Sequence, residues 1–369
     1  MMVSEFHEAY RNRHQLAKQL KQSGKKVFGY FCLFTPQELI YAADVVPVRI
    51  RGSMDNPSLA DAYLPEFVCS YMRSCLSEAL SGKYNYLDGV IFSQRCDINR
   101  TICTNWVENV KIPYSWHVAM PRKGSKAAIE MYTQELRLLQ ESMEKYLGHK
   151  IDNKALQNAV DVYNENRSLR RKVYQLALKD SPPLPGSEVF EIMLAGLVMP
   201  KEEHSKMLRK LLDKLPAKGD SAKKVRLLLT GNTLENVEVL KAIERYGGQI
   251  VIDDFCFGTR DCWAQVDKGS NPLASIAEYY LTRMMPSPCM DTLERRRIGH
   301  IEELIKEYRV QGVIQATQRY CDNYLIETPI LERRLKEQGI PFLNIEIDDA
   351  EATLTRIDGM VQPFIEMLQ

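Results

Sequence analysis

Two short segments in opposite halves of the chain repeat one design, and that repeat limits what the chain can fold into. Gly89-Val90-Ile91-Phe92-Ser93 runs into Gln94-Arg95-Cys96-Asp97, and Gly312-Val313-Ile314-Gln315-Ala316-Thr317 runs into Gln318-Arg319-Tyr320-Cys321-Asp322. Each is a short apolar run of strand character, then Gln-Arg, then Cys-Asp opening a segment with helical spacing. A strand that feeds a helix through a short turn is the unit of a parallel sheet covered by helices. In such open sheets ligands bind outside the carboxyl ends of the strands, where both Cys-Asp pairs fall. A helix start also presents unpaired N–H groups and the positive end of the dipole, which favour the anionic sulfur that a metal needs. The plain alternative is that Asp97 and Asp322 are ordinary helix caps and the cysteines accompany them by chance.

The remaining pattern agrees with strand and helix alternation. Residues 4–22 read as an amphipathic helix and 27–33 as a strand, and Thr35-Pro36 with Glu38 in the first turn is a start signal for a helix through Ala43, with Thr35 as its N-cap. A helix over 65–80, strand 89–93, a helix after Asp97 and a strand near 113–118 follow. From 125 to 174 the chain is charged and helix-rich, closed by Ser181-Pro182-Pro183-Leu184-Pro185-Gly186, after which Ser187 is placed to cap the next helix. Alternation returns with strands 225–230, 249–254, 312–316 and 341–347 between helices. The expected fold class is α/β: two Rossmann-like domains with parallel sheets, 1–124 carrying Cys69 and Cys96 and 221–369 carrying Cys321, joined by a helical bridging segment, 125–220.

Composition narrows the function. Lys plus Arg number 49 against 48 Asp plus Glu, a net charge of +1, so bulk electrostatic binding to nucleic acid or an anionic membrane is not expected. No apolar run approaches a membrane span and no secretory signal opens the chain, so a cytoplasmic protein is expected. Nine cysteines in a reducing compartment are unlike a disulfide framework, and no CxxC pair supports a zinc ribbon or a thioredoxin-like site. With six scattered His and no HxxxH pair, a histidine-based metal site lacks support. A shared thiolate site therefore has to be assembled from distant segments. Cys69, in Phe67-Val68-Cys69-Ser70-Tyr71-Met72-Arg73, is the best third ligand beside Cys96 and Cys321, because it lies near a helix start in the same half as Cys96. Three soft thiolates with an open fourth position suit a 4Fe-4S cluster. Zinc stays open, although catalytic zinc more often recruits His or carboxylate beside Cys.

These residues, with Gly29-Tyr30-Phe31-Cys32-Leu33-Phe34-Thr35-Pro36-Gln37-Glu38-Leu39, Pro47-Val48 and the distal Gly339-Ile340-Pro341-Phe342-Leu343 and Ile345-Glu346-Ile347-Asp348, resemble the 2-hydroxyacyl-CoA dehydratase and benzoyl-CoA reductase family in matching order. The resemblance implies an iron–sulfur subunit of an oxygen-sensitive acyl-CoA enzyme, with Cys69, Cys96 and Cys321 as ligands to 4Fe-4S. It implies a related second subunit, or a second copy of the chain, as partner. It further implies an ATP-dependent iron–sulfur activator that injects a low-potential electron into a CoA-thioester substrate, giving ketyl radical chemistry in dehydratases or ring reduction in benzoyl-CoA reductases. Two alternatives stand beside it: a homodimeric reductase of small molecules with a double-cubane cluster, for which the surplus Cys75, Cys103, Cys256, Cys262 and above all Cys289 speak, and a non-catalytic electron-transfer or cluster-carrying protein on the same fold.

Other residues have competing readings. Thr35 and Glu38 match the family segment bordering the thioester pocket, as hydrogen-bond donor and proton-transfer group, while helix capping explains both without chemistry. Arg260 either neutralises a cluster or CoA phosphate or pairs at the surface with Asp253 or Asp254. Arg295-Arg296-Arg297 reads as a solvated helix face balanced by Glu294, Glu302 and Glu303. No P-loop spacing occurs, so ATP hydrolysis by this chain is not expected.

Overall fold

A computed structural model describes residues 3–53, 58–94, 96–219, 224–234, 236–290, 296–347 and 350–369. Alternating apolar residues build the first sheet from four parallel strands: β1 (Lys26–Tyr30), β2 (Val45–Arg49), β3 (Gly89–Ser93) and β4 (Ser115–Val118), in spatial order β2-β1-β3-β4. Val27, Val90 and Phe92 pack to one face and Phe28 and Ile91 to the other, the two-residue period of a strand buried on both sides. The second sheet repeats the arrangement with β5 (Val225–Gly231), β6 (Gly248–Asp254), β7 (Gly312–Gln318) and β8 (Phe342–Ile347), again parallel, in order β6-β5-β7-β8. The echoed segments are therefore the same strand, third in chain order, of two sheets with the same winding. In each, the direction of winding reverses between the first and third strands, which opens a crevice at their carboxyl ends.

The middle of the chain is helical, as its composition requires. The Lys126–Leu147 helix is capped by the Ser125 hydroxyl and ends at Gly148, whose φ of 80° favours glycine. Asp152 then caps the Asn153–Gln175 helix. That helix carries Tyr163, Arg167, Arg170 and Tyr174 on one buried face, spaced by three or four residues. Arg167 donates to Glu38 behind the first sheet, while Arg170 donates to Asp261 and Tyr174 to Asp253 beside the second. One apolar core includes Phe28 and Ile91 of the first sheet, Leu136 and Leu169 of the helices, and Leu227 and Ile314 of the second sheet. No helix among the described residues is long and apolar enough to cross a membrane.

Several local expectations change. The 4–22 helix is two helices, Ser4–Arg11 and Arg13–Gln22. β2 was not anticipated because Pro47 lies within it; β2 is the edge of the sheet, where a residue without an N–H is tolerated. The helix expected from 65 begins at Ser70. Thr35 is not an N-cap: Pro36 holds that position before the Gln37–Ala42 helix. Ser187 lies inside the Gly186–Ala195 helix behind the N-cap Pro185, and its hydroxyl donates to Glu244 at 2.5 Å.

Candidate active site

The nine cysteines are all thiols, and their positions separate them. Three occupy helix N-caps: Cys69 before Ser70–Leu80, Cys96 before Asp97–Asn109 and Cys321 before Asp322–Glu337. None of the three sulfurs caps its own helix, and all three are half-buried. Cys96 and Cys321 follow β3 and β7, at the two crevices. Cys32, Cys75, Cys256, Cys262 and Cys289 are buried, and Cys103 sits mid-helix. Burial pushes the Cys103 thiol up to about 11 and the Cys262 thiol up to about 12, so both stay protonated and are poor ligands. Cys69, Cys96 and Cys321, by contrast, stand at helix starts. These three are the residues that could hold a soft metal centre.

The two halves meet beside them. Ser70, next to Cys69, donates its hydroxyl to Gln318 Oε1 at 2.5 Å, and Gln318 accepts the Cys321 N–H at its carbonyl, 3.1 Å away. Gln318 is tied in turn to Asn232 and Thr233 after β5, at 3.1 and 2.8 Å. Cys96 packs against the main core and Cys69 against a second apolar cluster on the opposite face of the first sheet. Among the described residues, no three His, Cys, Asp or Glu side chains converge closely enough to hold one metal ion. Cys289 faces Ser287, with Sγ 3.0 Å from the Ser287 hydroxyl.

At the first crevice, Thr35 Oγ1 lies 2.9 Å from Ser93 Oγ, a bond from the end of β1 to the end of β3. Glu38 is fully buried; it accepts from Arg167 and, at 2.8 Å, from the Tyr280 hydroxyl. Burial and the neighbouring Glu38 carboxylate raise Tyr280 well above the usual phenol range, so it remains a donor. Capping therefore explains neither Thr35 nor Glu38. Tyr280 and Phe34 also line a cavity of about 530 Å³ shared with Arg122, Lys123, Met290 and Arg296. Sequence reasoning missed Arg167 and Tyr280; the Tyr163, Arg167, Arg170, Tyr174 spacing on one helix face was the available signal.

At the second crevice β5 ends in Gly231, where a Cβ would lie 2.0 Å from the Ala316 carbonyl oxygen of β7, so a side chain there is excluded. Beneath it lie Asp254, Arg260 and Arg297, each 1% exposed or less. Arg260 is neither at the surface nor paired with Asp253: Nε lies 3.4 Å from Asp254, and Nη2 donates to the Gly231 carbonyl at 3.0 Å and the Tyr324 hydroxyl at 2.8 Å. Arg297 overturns the expected solvated face. It pairs with Asp254 at 2.8 Å and with Glu327, while Arg296 donates to the Thr282 carbonyl at 2.6 Å. Arg295 and Glu294 lie outside the described residues. Two buried carboxylates draw Arg297 inward, because an unpaired buried charge costs several kcal/mol.

The family model described as 2-hydroxyglutaryl-CoA dehydratase, D-component, matches residues 32–368. The chain is 29% identical over 359 residues to the (R)-phenyllactyl-CoA dehydratase beta subunit of Clostridium sporogenes, covering 96% of this chain and 94% of that protein. It is 28% identical over 362 residues to the C subunit of the benzoyl-CoA reductase of Thauera aromatica, with 96% and 94% covered. It is also 28% identical over 352 residues to the beta subunit of the lactoyl-CoA dehydratase of Anaerotignum propionicum, with 94% and 93% covered.

Proposed function

The chain belongs to the 2-hydroxyglutaryl-CoA dehydratase D-component family, and from that premise we propose that it is the iron–sulfur subunit of an acyl-CoA dehydratase or aryl-CoA reductase, with Cys69, Cys96 and Cys321 holding a 4Fe-4S cluster. The observation that carries the reading is the selection among nine cysteines: the three that the sequence resemblance implies as ligands are the three half-buried helix N-caps. Three thiolate ligands suit an iron–sulfur cluster better than a catalytic zinc ion, which more often recruits His or carboxylate beside Cys. Such a cluster, when bound, supplies low-potential one-electron transfer.

The chain's own residues have the remaining roles. The cavity of about 530 Å³ takes the CoA thioester, with Arg122, Lys123 and Arg296 at its wall for phosphate groups and Phe34 and Met290 for apolar parts. Tyr280 lines that cavity, its single hydroxyl proton donated to Glu38. Glu38 and Arg167 hold that hydroxyl in place, so Glu38 is a positioning residue, and Thr35 fixes the crevice through Ser93. The relatives are themselves named as single subunits of larger enzymes, which supports a second, related subunit as partner; an ATP-dependent iron–sulfur activator is proposed as electron donor.

The test is iron and acid-labile sulfide per chain after strictly anaerobic purification, with the visible spectrum. About four irons support one cubane and about eight the double-cubane alternative; no iron after reconstitution removes the proposal.

A further inference from the structure

A second cavity, of about 320 Å³, opens at the other end of the first sheet. Lys25, Asp44 and Val45 in its wall flank the amino ends of β1 and β2. The cysteines and the larger cavity lie beyond the carboxyl ends of the strands, so this pocket is separate from them. Its apolar wall includes Leu20, Val46, Pro47, Ala155 and Met199. Its polar wall is unusual in three respects.

First, Tyr163 is 3% exposed, and its hydroxyl has no hydrogen-bond partner among the described residues. A buried hydroxyl left without a partner is costly, and a ligand acceptor relieves that cost. Second, Lys201 is 5% exposed and no carboxylate among the described residues forms an ion pair with it; its ammonium donates to the Gly196 carbonyl at 2.5 Å. The nearby carboxylates are taken: Glu38 pairs with Arg167 and Asp261 with Arg170. With both of those carboxylates paired to arginines, Lys201 has no ion pair of its own among the described residues. Third, Lys201 begins the Lys201–Lys214 helix behind Pro200, which has no side-chain oxygen to cap the first N–H groups. Of the acidic groups in the wall, Asp44 is neutralised by Lys25 at 2.7 Å, and Glu202, which keeps its charge, accepts from the Tyr41 hydroxyl. Burial lowers Lys201 to about 8, with Arg170 and Arg167 adding to the shift and Asp261 opposing it.

We propose that this cavity is a binding site for a small monocarboxylate, aliphatic or aromatic, whose carboxylate accepts from Lys201, the Tyr163 hydroxyl and the helix start while its apolar body lies against Val46, Pro47 and Met199. The proposal does not depend on the cluster assignment. The Tyr163 ring lies under the Arg167 guanidinium, 5.8 Å from its centre, so the site touches the helix that braces Glu38.

Isothermal titration calorimetry of the full chain with benzoate and butyrate tests it, with benzamide as the uncharged match to benzoate. Benzoate is expected to bind with a Kd of about 1 mM or tighter, the range open to so few atoms. Lys201→Met is expected to weaken binding by about tenfold or more, and Tyr163→Phe by several-fold. Tyr163→Phe deletes a hydroxyl that bonds nothing among the described residues, so its fold is retained and it decides the matter even where Lys201→Met fails to fold. Absence of benzoate binding to the wild type at millimolar concentration, equal binding of benzamide, or wild-type affinity in Tyr163→Phe would overturn the site.

Discussion

The two crevices share a topology and differ in what fills them. Each lies between the first and third strands of a sheet in the same spatial order, and each is followed by a cysteine at a helix N-cap. The first is bridged by two hydroxyls, Thr35 and Ser93, with one carboxylate, Glu38, held by Arg167 and Tyr280. The second is bridged by amides, Asn232 and Gln318, over an ionic group of Asp254, Arg260, Arg297 and Glu327. Winding order fixes where a ligand can sit, while the residues after each strand decide the chemistry. Only the first crevice adjoins a large cavity, through Phe34 and Tyr280, among the pockets described. One crevice thus opens beside a cavity and the other is filled by buried charge, although the two sheets share one strand order.

The comparison can be broken by removing its charges. Arg297→Met is expected to have the largest effect on stability, because it removes the buried ion pairs that Asp254 and Glu327 both make with Arg297; a loss of about 4–5 kcal/mol in urea unfolding is expected. Arg167→Met leaves Glu38 with the Tyr280 hydroxyl, and a smaller loss of about 3 kcal/mol is expected. A larger loss for Arg167→Met than for Arg297→Met would reverse the ranking of the two sites. Adding Glu38→Gln to Arg167→Met should recover part of the stability, since the uncompensated charge is then gone.

Acid should sharpen the same contrast. Burial lowers His204 to about 3 and His300 to about 4, with nearby cations adding to the shift: Lys201 and Arg170 for His204, Arg260 and Arg297 for His300. In the unfolded chain these imidazoles protonate near 6.5. Between those values the unfolded state binds more protons, so stability is complete above about pH 6.5 and falls as pH drops toward each folded pKa, by up to about 1.4 kcal/mol per pH unit for each group. His300→Phe, beside the second crevice, should flatten the pH 4–6.5 slope measured by urea unfolding; an unchanged slope would contradict the burial argument. The smallest effect is expected for Thr35→Val, which loses one hydroxyl bond to Ser93 and about 1 kcal/mol.

Much of this arrangement was legible in the sequence because it is local. Apolar runs marked β1, β3, β5, β6, β7 and β8, and Cys-Asp after a strand marked two of the three N-caps. The third, Cys69, was found near a helix start expected five residues too early, at a Pro65 that the chain uses in the turn before the helix. What could not be read were partners chosen across the fold. Arg297 looked solvated because its sequence neighbours are acidic, yet its partners are Asp254 and Glu327. Thr35 and Ser187 carry capping chemistry in the right places and spend it on Ser93 and Glu244 instead. β2 escaped because Pro47 argues against a strand everywhere except at an edge.

The central claim is that three N-cap thiols, one of them at each crevice, hold the cluster. Iron and sulfide per chain, measured anaerobically across single Cys→Ser variants of all nine cysteines, test it most directly. The account predicts that Cys69→Ser, Cys96→Ser and Cys321→Ser each lose bound iron and the visible absorption, while Cys103→Ser and Cys262→Ser retain both. Full iron content in any of the first three, or its loss in Cys103→Ser, would contradict the assignment.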